Sequence, residues 1–453
     1  MKINNQIPVS NSVYIRLIML HIAMGLIVFV VEASSKIFFL VGIIYFLYRV
    51  FSNGNRRDEV LLGAAYVTGF EVFSRMTGGA ISYEFAKYMV IIFLVIGMFF
   101  KGFTTKSWPY VIFILFLIPG IFVASISLNY EAKFGNAIGF NLSGPLCLAI
   151  SALYCYDRRI SMRRFQGILL ALLLPIIATT VYLYLYTPNI RDVLTNTASN
   201  FAASGGFGPN QVATILGLGV LILFSRFILI RNTFINIIDI SLLGLVGYRA
   251  IVTFSRGGVI TGVVCVLLLL ATYLIQSKGK DRVSIVPKIL VASAVVVFTW
   301  VITSIATVGF IDKRYANQDA AGREKEDLTT GRSELVSTEL QAFYENPIVG
   351  IGVGKMKEYR LEETGRLSAT HNEVSRTLSE HGILGISALL ILIITPLVFR
   401  IKNKSNLYLY TFLVFWFLTI NHSSMRIAAP AFIYGLGLIT IIHVTRKTII
   451  HRK

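Results

Sequence analysis

The sequence predicts an all-α fold: a polytopic membrane protein of about 12–14 transmembrane helices with one long extramembrane loop that carries short helices. Three observations predict it. Of 453 residues, 55% are hydrophobic and only 14% charged, against about 25% charged in a soluble chain. Apolar runs of spanning length recur from Val13 to Val444. The basic residues concentrate in alternate connections between those runs.

The apolar runs lie near 13–31, 36–51, 58–74, 84–100, 109–127, 138–155, 165–186, 210–230, 234–253, 257–275, 287–308, 383–399, 407–422 and 427–445. Each is close to the 17–25 residues that cross a bilayer. Lys2 and Arg16 flank the first run, which passes Glu32 into a second apolar segment without a small-residue cleavage site. The first helix is therefore read as retained, not as a cleaved signal. Cys147, Cys155 and Cys265 all fall inside apolar spans. They show no metal-type spacing and read as small packing residues, so no metal site is expected.

A formal charge of +19 would suit nucleic acid if it were spread over one surface. It is not. The clusters are Arg49/Arg56/Arg57, Lys101/Lys106, Arg158/Arg159/Arg163/Arg164, Arg226/Arg231, Lys278/Lys280/Arg282/Lys288, Arg400/Lys402/Lys404 and Arg446/Lys447/Arg452/Lys453. The positive-inside rule assigns them to the cytoplasm. Both termini are then cytoplasmic, and the long segment faces out. The chain divides into a helical bundle (1–309), an outer loop (310–370) and C-terminal transmembrane helices (371–453). The loop holds nine Lys and Arg against eleven Asp and Glu. The charge excess thus anchors the chain against membrane lipids, and nucleic acid is not expected as a partner.

Five basic residues break that pattern. Arg75, Lys87, Arg191, Arg249 and Arg256 fall at or near outer span ends, where positive charge is normally depleted. Any one could snorkel to lipid phosphate. Five together point to an anionic ligand held in a polar cavity at that face.

Several motifs sharpen this. Thr253-Phe-Ser-Arg-Gly-Gly258 reads as a tight outer turn, its glycines permitting unusual backbone angles or a close neighbour. It presents Arg256, whose planar fork suits phosphate. Gly206-Phe-Gly-Pro-Asn210 precedes a span that Asn210 can cap. Leu328-Thr-Thr-Gly-Arg332 opens a loop helix with Arg332 in its first turn, where free N–H groups already favour an anion. Val336, Leu340, Phe343 and Tyr344 predict its apolar face, and Pro347 ends it at Asn346. Gly350-Ile-Gly-Val-Gly354 lacks the Lys-Ser/Thr pair of a phosphate loop and reads as a tight turn. Thr370-His-Asn-Glu373 has the form of a capping box, Thr370 capping and Glu373 reaching back. His371 then lies in a first helical turn, which disfavours its protonation and makes it a candidate general base. Gly382 and Gly385 predict a bend or close packing farther along. Glu380 and His381 have no partner legible in the sequence.

These residues resemble a known family. His371-Asn372, followed after nine residues by Gly382-Ile-Leu-Gly385, is similar to the His-Asn…Gly-x-x-Gly signature of bacterial O-antigen ligases. Thr253–Gly258 resembles the family's Ser-Arg-Gly turn. Thr330-Gly-Arg332 with Glu345-Asn-Pro-Ile-Val-Gly-Ile-Gly352 resembles the start of its periplasmic loop, and Gly206–Asn210 a further segment. The likeness is close over roughly 200–400 and elsewhere only a helical pattern.

The resemblance implies a C-type membrane glycosyltransferase of the inner membrane, usually nearer twelve spans, with a periplasmic active site. It implies transfer of an O-antigen-type glycan from undecaprenyl pyrophosphate to a lipid A-core sugar hydroxyl, with inversion and without metal or other cofactor. By carry-over, Arg256 and Arg332 bind pyrophosphate and His371 is the base. Lys87, Arg249 and Arg191 are weaker candidates for the same anion. An O-antigen polymerase or an O-linked protein glycosylation ligase shares most of these motifs and differs in acceptor. A lipid or polysaccharide transporter fits less well, because it would place polar residues near the midplane on broken helices of two related halves.

Overall fold

The computed structural model describes residues 9–129, 132–325, 331–365, 368, 370–402 and 406–442. The predicted basic cluster at 446–453, Lys2, Lys404, and Leu328 to Thr330 of the Arg332 motif lie outside the described residues. The helices are α1 (Asn11–Val30), α2 (Ser34–Asn53), α3 (Glu59–Met76), α4 (Phe85–Lys101), α5 (Trp108–Ser127), α6 (Phe134–Cys155), α7 (Met162–Tyr186), α8 (Pro209–Leu229), α9 (Thr233–Ile251), α10 (Arg256–Gln276), α11 (Lys280–Val283), α12 (Val286–Ala306), α13 (Phe310–Tyr315), α14 (Arg332–Glu345), α15 (Met356–Thr364), α16 (Glu373–Lys402), α17 (Leu409–Ser423) and α18 (Ala428–Gly437). Lipid offers no hydrogen bonds, so apolar runs must satisfy their own backbone by coiling into helices.

Each predicted span meets one of these helices, although the span at 427–445 is helical only over Ala428–Gly437, turns into strand at Thr440–Ile442 and leaves the described residues after 442; ten of the described helices are long and apolar enough to cross. The chain is a multi-pass membrane protein. The predicted spans that fail this measure do so for identifiable reasons. Helix α3 carries Glu59, Glu71 and Arg75. It tolerates them because it is buried almost throughout, packed by α2, α4 and α7, away from lipid. Helices α4, α17 and α18 have only 17, 15 and 10 residues. The centre of the bundle is formed by α3, α7 and α8, whereas α2 and α12 turn most of their surface outward. Outward side chains such as Ile126, 88% exposed, are apolar, as a lipid solvent requires.

The α17–α18 hairpin is short in a way that shapes the bundle. Helix α7, with 25 residues, is about 38 Å long, and α17 about 22 Å. Both start from the same end. There the strands β1 (Arg159–Ser161) and β2 (Thr440–Ile442) pair in parallel, and the Asn406 amide donates to the Gly437 and Ile439 carbonyls at 2.9 and 2.8 Å. The hairpin tip, 424–427, therefore stops well short of the opposite end, the face that carries the loop.

The loop is docked onto that face. Helix α14 starts at Arg332 and stops before Asn346, as its sequence predicts. Its buried side is not the predicted one. Thr338, Glu339 and Ala342 face inward, and Tyr344 is exposed, because α14 seats on α16 through Glu339. The 350–354 segment is the predicted tight turn, with positive φ at Gly350, Gly352 and Gly354. It wedges between α5 and α16. The Ile351 and Gly352 amides donate to the Ser379 and Glu380 carbonyls, and the Val353 amide to that of Gly120. Helix α16 kinks at Gly382, φ 59° and ψ −139°, where the Ile383 amide donates to the Pro347 carbonyl at 2.8 Å. Any Cβ on Gly382 would lie 2.6 Å from that carbonyl.

Candidate functional site

Three arginines meet on the loop face. Arg256 is the first residue of α10. The turn before it is pinned by the Ser255 hydroxyl, which donates to Asn210 Oδ1 at 2.7 Å. Asn210 therefore does not cap α8, as its position suggested; α8 begins at Pro209, and the Asn210 amide oxygen ties α8 to the turn instead. The glycines serve close packing, not unusual angles: positive φ falls on Phe254. A Cβ at Gly257 would meet the His422 ring at 2.6 Å, and one at Gly258 the Ala213 backbone at 2.4 Å.

Arg314, on α13, donates from Nε to the Phe254 carbonyl at 3.1 Å. Arg256 donates to the Arg314 carbonyl at 3.5 Å. Arg332 opens α14 close enough to Arg256 for their charges to act on each other. Burial first, then the neighbouring arginines, lowers both Arg314, to about 10, and Arg332. Both remain cationic at neutral pH. Among the described residues, neither has a carboxylate within ion-pair distance.

His371 stands beside this cluster, half-buried, immediately before α16. Burial pulls its pKa down to about 4, and the charges of Arg426, Arg332 and Arg360 add to the effect. It is therefore neutral near pH 7. The direction agrees with the sequence expectation, but the cause is different. The capping residue is Asn372, whose Oδ1 accepts from the Val374 and Ser375 amides at 2.9 and 3.3 Å. Thr370 is not the cap, and Glu373 does not reach back to it. Glu373 pairs with Arg376, which also pairs with Glu380.

Thr370 is held from two sides. Arg426, on the hairpin tip, donates to its carbonyl at 2.6 Å. Arg360, on α15, donates to its hydroxyl at 3.1 Å and to the Ser368 carbonyl at 3.0 Å. Arg360 is in turn paired with Glu339, and the Ser375 hydroxyl donates to the same carboxylate. Glu339 and Arg360 are each 1% exposed. One buried carboxylate thus joins α14, α15 and the start of α16, and sets the histidine segment relative to Arg332.

The remaining predicted residues lie elsewhere. Lys87 is buried, paired with Glu84, and donates to the Met425 carbonyl at 3.3 Å. Arg75 pairs with Glu71 at 2.5 Å and donates to the Arg426 carbonyl at 2.9 Å. The Glu71 carboxylate also accepts from the Ala428 amide at 2.5 Å, at the start of α18. These four side chains fix the hairpin tip that presents Arg426. Arg249, 1% exposed, donates to the Thr187 and Ala203 carbonyls at 3.3 and 2.8 Å. Arg191 donates to the Ile305 and Ala306 carbonyls at the end of α12. Neither is brought to the Arg256–Arg314–Arg332 cluster.

Arg314, Arg360, Arg426 and His422, whose Nε2 lies 3.2 Å from the Thr214 hydroxyl, were missed in the sequence. Arg426 had a signal: it interrupts two apolar runs on the outer side, the same criterion that picked out Arg75. Among the described residues, no group of three His, Cys, Asp or Glu side chains is placed to hold a metal ion.

Residues 241–390 match the family described as O-antigen ligase (Wzy_C). The matched stretch contains Arg249, Arg256, Arg314, Arg332 and His371, and stops short of Arg426. No curated protein and no solved structure matches the chain.

Proposed function

Taking as premise that the α9-to-α16 stretch belongs to the O-antigen ligase family, which implies a ligase- or polymerase-type enzyme, we propose that the protein is an inverting glycosyltransferase. It moves an O-antigen-type glycan from undecaprenyl pyrophosphate to a lipid A-core sugar hydroxyl. The loop face is periplasmic, the membrane is the bacterial inner membrane, and the basic clusters at the opposite ends of the helices support that orientation.

The observation that carries the reading is the pairing of two unlike features. Arg314 and Arg332 are partly buried cations with no carboxylate at ion-pair distance among the described residues, and the charge of Arg332 acts on a neutral His371. Gathering like charges out of water is unfavourable until an anion joins them, and a diphosphate ester supplies that anion. As the acceptor oxygen attacks the anomeric carbon, the bond from that carbon to the phosphate oxygen breaks and its electron pair passes to the diphosphate. Arg256, Arg314 and Arg332 stabilise this growing charge more than the ground state. His371 takes the acceptor proton. The bound diphosphate also offsets the arginine field, which raises the histidine pKa toward its ordinary value and strengthens the base once the donor is present.

The test uses the purified protein with undecaprenyl-pyrophosphate-linked glycan and lipid A-core acceptor. Arg332→Ala and Arg314→Ala are expected to abolish transfer and weaken undecaprenyl-diphosphate binding. His371→Ala is expected to abolish transfer and keep that binding. Wild-type turnover in any of the three overturns the role assigned to it.

A further inference from the structure

A small cleft opens beside the histidine segment, and Arg256, Arg314 and Arg332 are not among its lining residues. It begins at Thr370, one residue before His371, and includes Arg426 from the hairpin tip. Its enclosed part has a volume of about 30 Å³, room for about two waters or one hydroxymethyl group. The cleft's carboxylates are already engaged. Arg376 pairs with both Glu373 and Glu380, and Glu380 also accepts from the Gly354 amide at 2.9 Å.

The mouth is different in kind. Phe140, on α6, lines it and is 36% exposed, and Tyr83 beside it is 39% exposed. Their ring centroids are 5.6 Å apart, so they form one aromatic patch. The Lys357 ammonium sits 5.2 Å over the Phe140 ring, and no carboxylate lies within ion-pair distance of it among the described residues. Asn141 flanks the patch. The two rings are tilted 37° to each other, and each carries a cation over one face, Lys357 on Phe140 and Arg75 on Tyr83 at 3.9 Å. Exposed aromatic surface bordered by hydrogen-bond donors, above a pocket that admits only a small polar group, suits a saccharide: its ring offers an apolar face, and its hydroxyls accept from the donors.

We propose that this cleft is the acceptor subsite. The ring next to the accepting hydroxyl packs against the exposed part of Phe140 and Tyr83, takes hydrogen bonds from Lys357 and Arg426, and points a hydroxyl-bearing arm toward Thr370 and His371. The assignment rests on the transferase reading above and adds the side from which the acceptor arrives. Donor and acceptor then reach His371 through separate sets of residues, with Arg332 serving the one and Arg426 the other. Separate sites suit direct displacement, in which the acceptor oxygen must meet the anomeric carbon on the face away from the diphosphate while His371 takes its proton.

The experiment measures transfer from undecaprenyl-pyrophosphate-linked glycan at varied lipid A-core concentration in the full-length protein. Phe140→Ala and, separately, Lys357→Ala are each expected to raise acceptor KM about tenfold, with donor KM unchanged. Lys357 is exposed, so its variant keeps the test decisive if Phe140→Ala fails to fold. A wild-type acceptor KM in Lys357→Ala and any folded Phe140→Ala, or a rise in donor KM instead, overturns the subsite. So does wild-type protein that glycosylates a serine peptide and no saccharide, an outcome that leaves the transferase reading standing. Wild-type protein that binds undecaprenyl diphosphate but glycosylates nothing removes both.

Discussion

Glu339→Ala is the perturbation that best tests how the loop builds the site. Glu339 and Arg360 are each 1% exposed, so their pairing is hardly screened by solvent. Removing the carboxylate leaves Arg360 a buried, uncompensated cation, and breaking a buried pair from one side costs about 3–5 kcal/mol. The Ser375 hydroxyl loses its acceptor as well. At about 1.4 kcal/mol per decade, the docked arrangement of α14 and α15 on α16 loses about two to four orders of magnitude in population relative to undocked ones. The spanning helices do not depend on this pair, so the protein still inserts. The expected outcome is normal membrane levels, faster proteolysis within 331–365, and a fall in transfer rate of at least a hundredfold. Glu339→Ala combined with Arg360→Ala removes the stranded charge and is expected to be less damaging than the two single effects added together. Wild-type protease resistance together with wild-type turnover in Glu339→Ala would refute the reasoning, because the joint would then carry no load between Arg332 and His371.

Three further outcomes are expected. In a pH profile, the acid limb of kcat/KM follows the free enzyme and lies near pH 4, the value for His371. The limb of kcat lies higher, because bound diphosphate offsets the arginine part of the depression while burial, its larger cause, remains; coincident limbs would argue against that coupling. Gly258→Ala drives a Cβ into the Ala213 backbone and is expected to cost about 3 kcal/mol or more, whereas Gly257→Ala meets a side chain that can shift and costs about 1–2 kcal/mol, read as thermal stability of the purified protein. Asn372→Ala removes the α16 cap and is expected to cost about 1 kcal/mol, whereas Thr370→Val keeps the cap and loses the hydroxyl's contacts with Arg360 and Glu339; equal α16 amide protection in Asn372→Ala and wild type would count against the cap.

The spans were legible because lipid selects on composition alone, and a 20-residue apolar run has few other folds. The ends of α14 and the kink at Gly382 were legible because proline and glycine act locally. The site was legible only where the sequence itself carries the constraint. Thr370 and Asn372 are both good caps, two residues apart, and Glu373 completes the box for the first of them. What decides against Thr370 is distant: Arg360 occupies its hydroxyl and Arg426 its carbonyl. Arg191 and Arg249 met the same criterion as Arg256, yet both end on the carbonyls of neighbouring helix ends and turns. Those acceptors belong to every residue type and leave no mark in a sequence. The inward face of α14 misled for a related reason. An ion pair, not an apolar stripe, seats that helix, and a hydrophobic pattern cannot report it.

Carboxylates separate the cations that build the recess from those available to a ligand. Around the short hairpin tip, Arg75, Lys87, Arg360 and Arg376 each hold a glutamate. They stabilise the fold in the absence of any substrate. Arg314 and Arg332 have no such partner among the described residues and act on each other and on Arg256 as like charges. Opposite consequences follow for stability without donor. Arg376→Ala strands two buried glutamates and is expected to lower Tm by several degrees. Arg332→Ala relieves repulsion and is expected to hold or raise Tm while it removes transfer, the pattern of a group kept for binding at the expense of the apo fold. Undecaprenyl diphosphate should then raise the Tm of wild type by mass action and leave that of Arg332→Ala nearly unmoved. A fall in Tm for Arg332→Ala as large as that for Arg376→Ala would mean that Arg332 is scaffolding too, and the anion site would have to be sought elsewhere on the loop face.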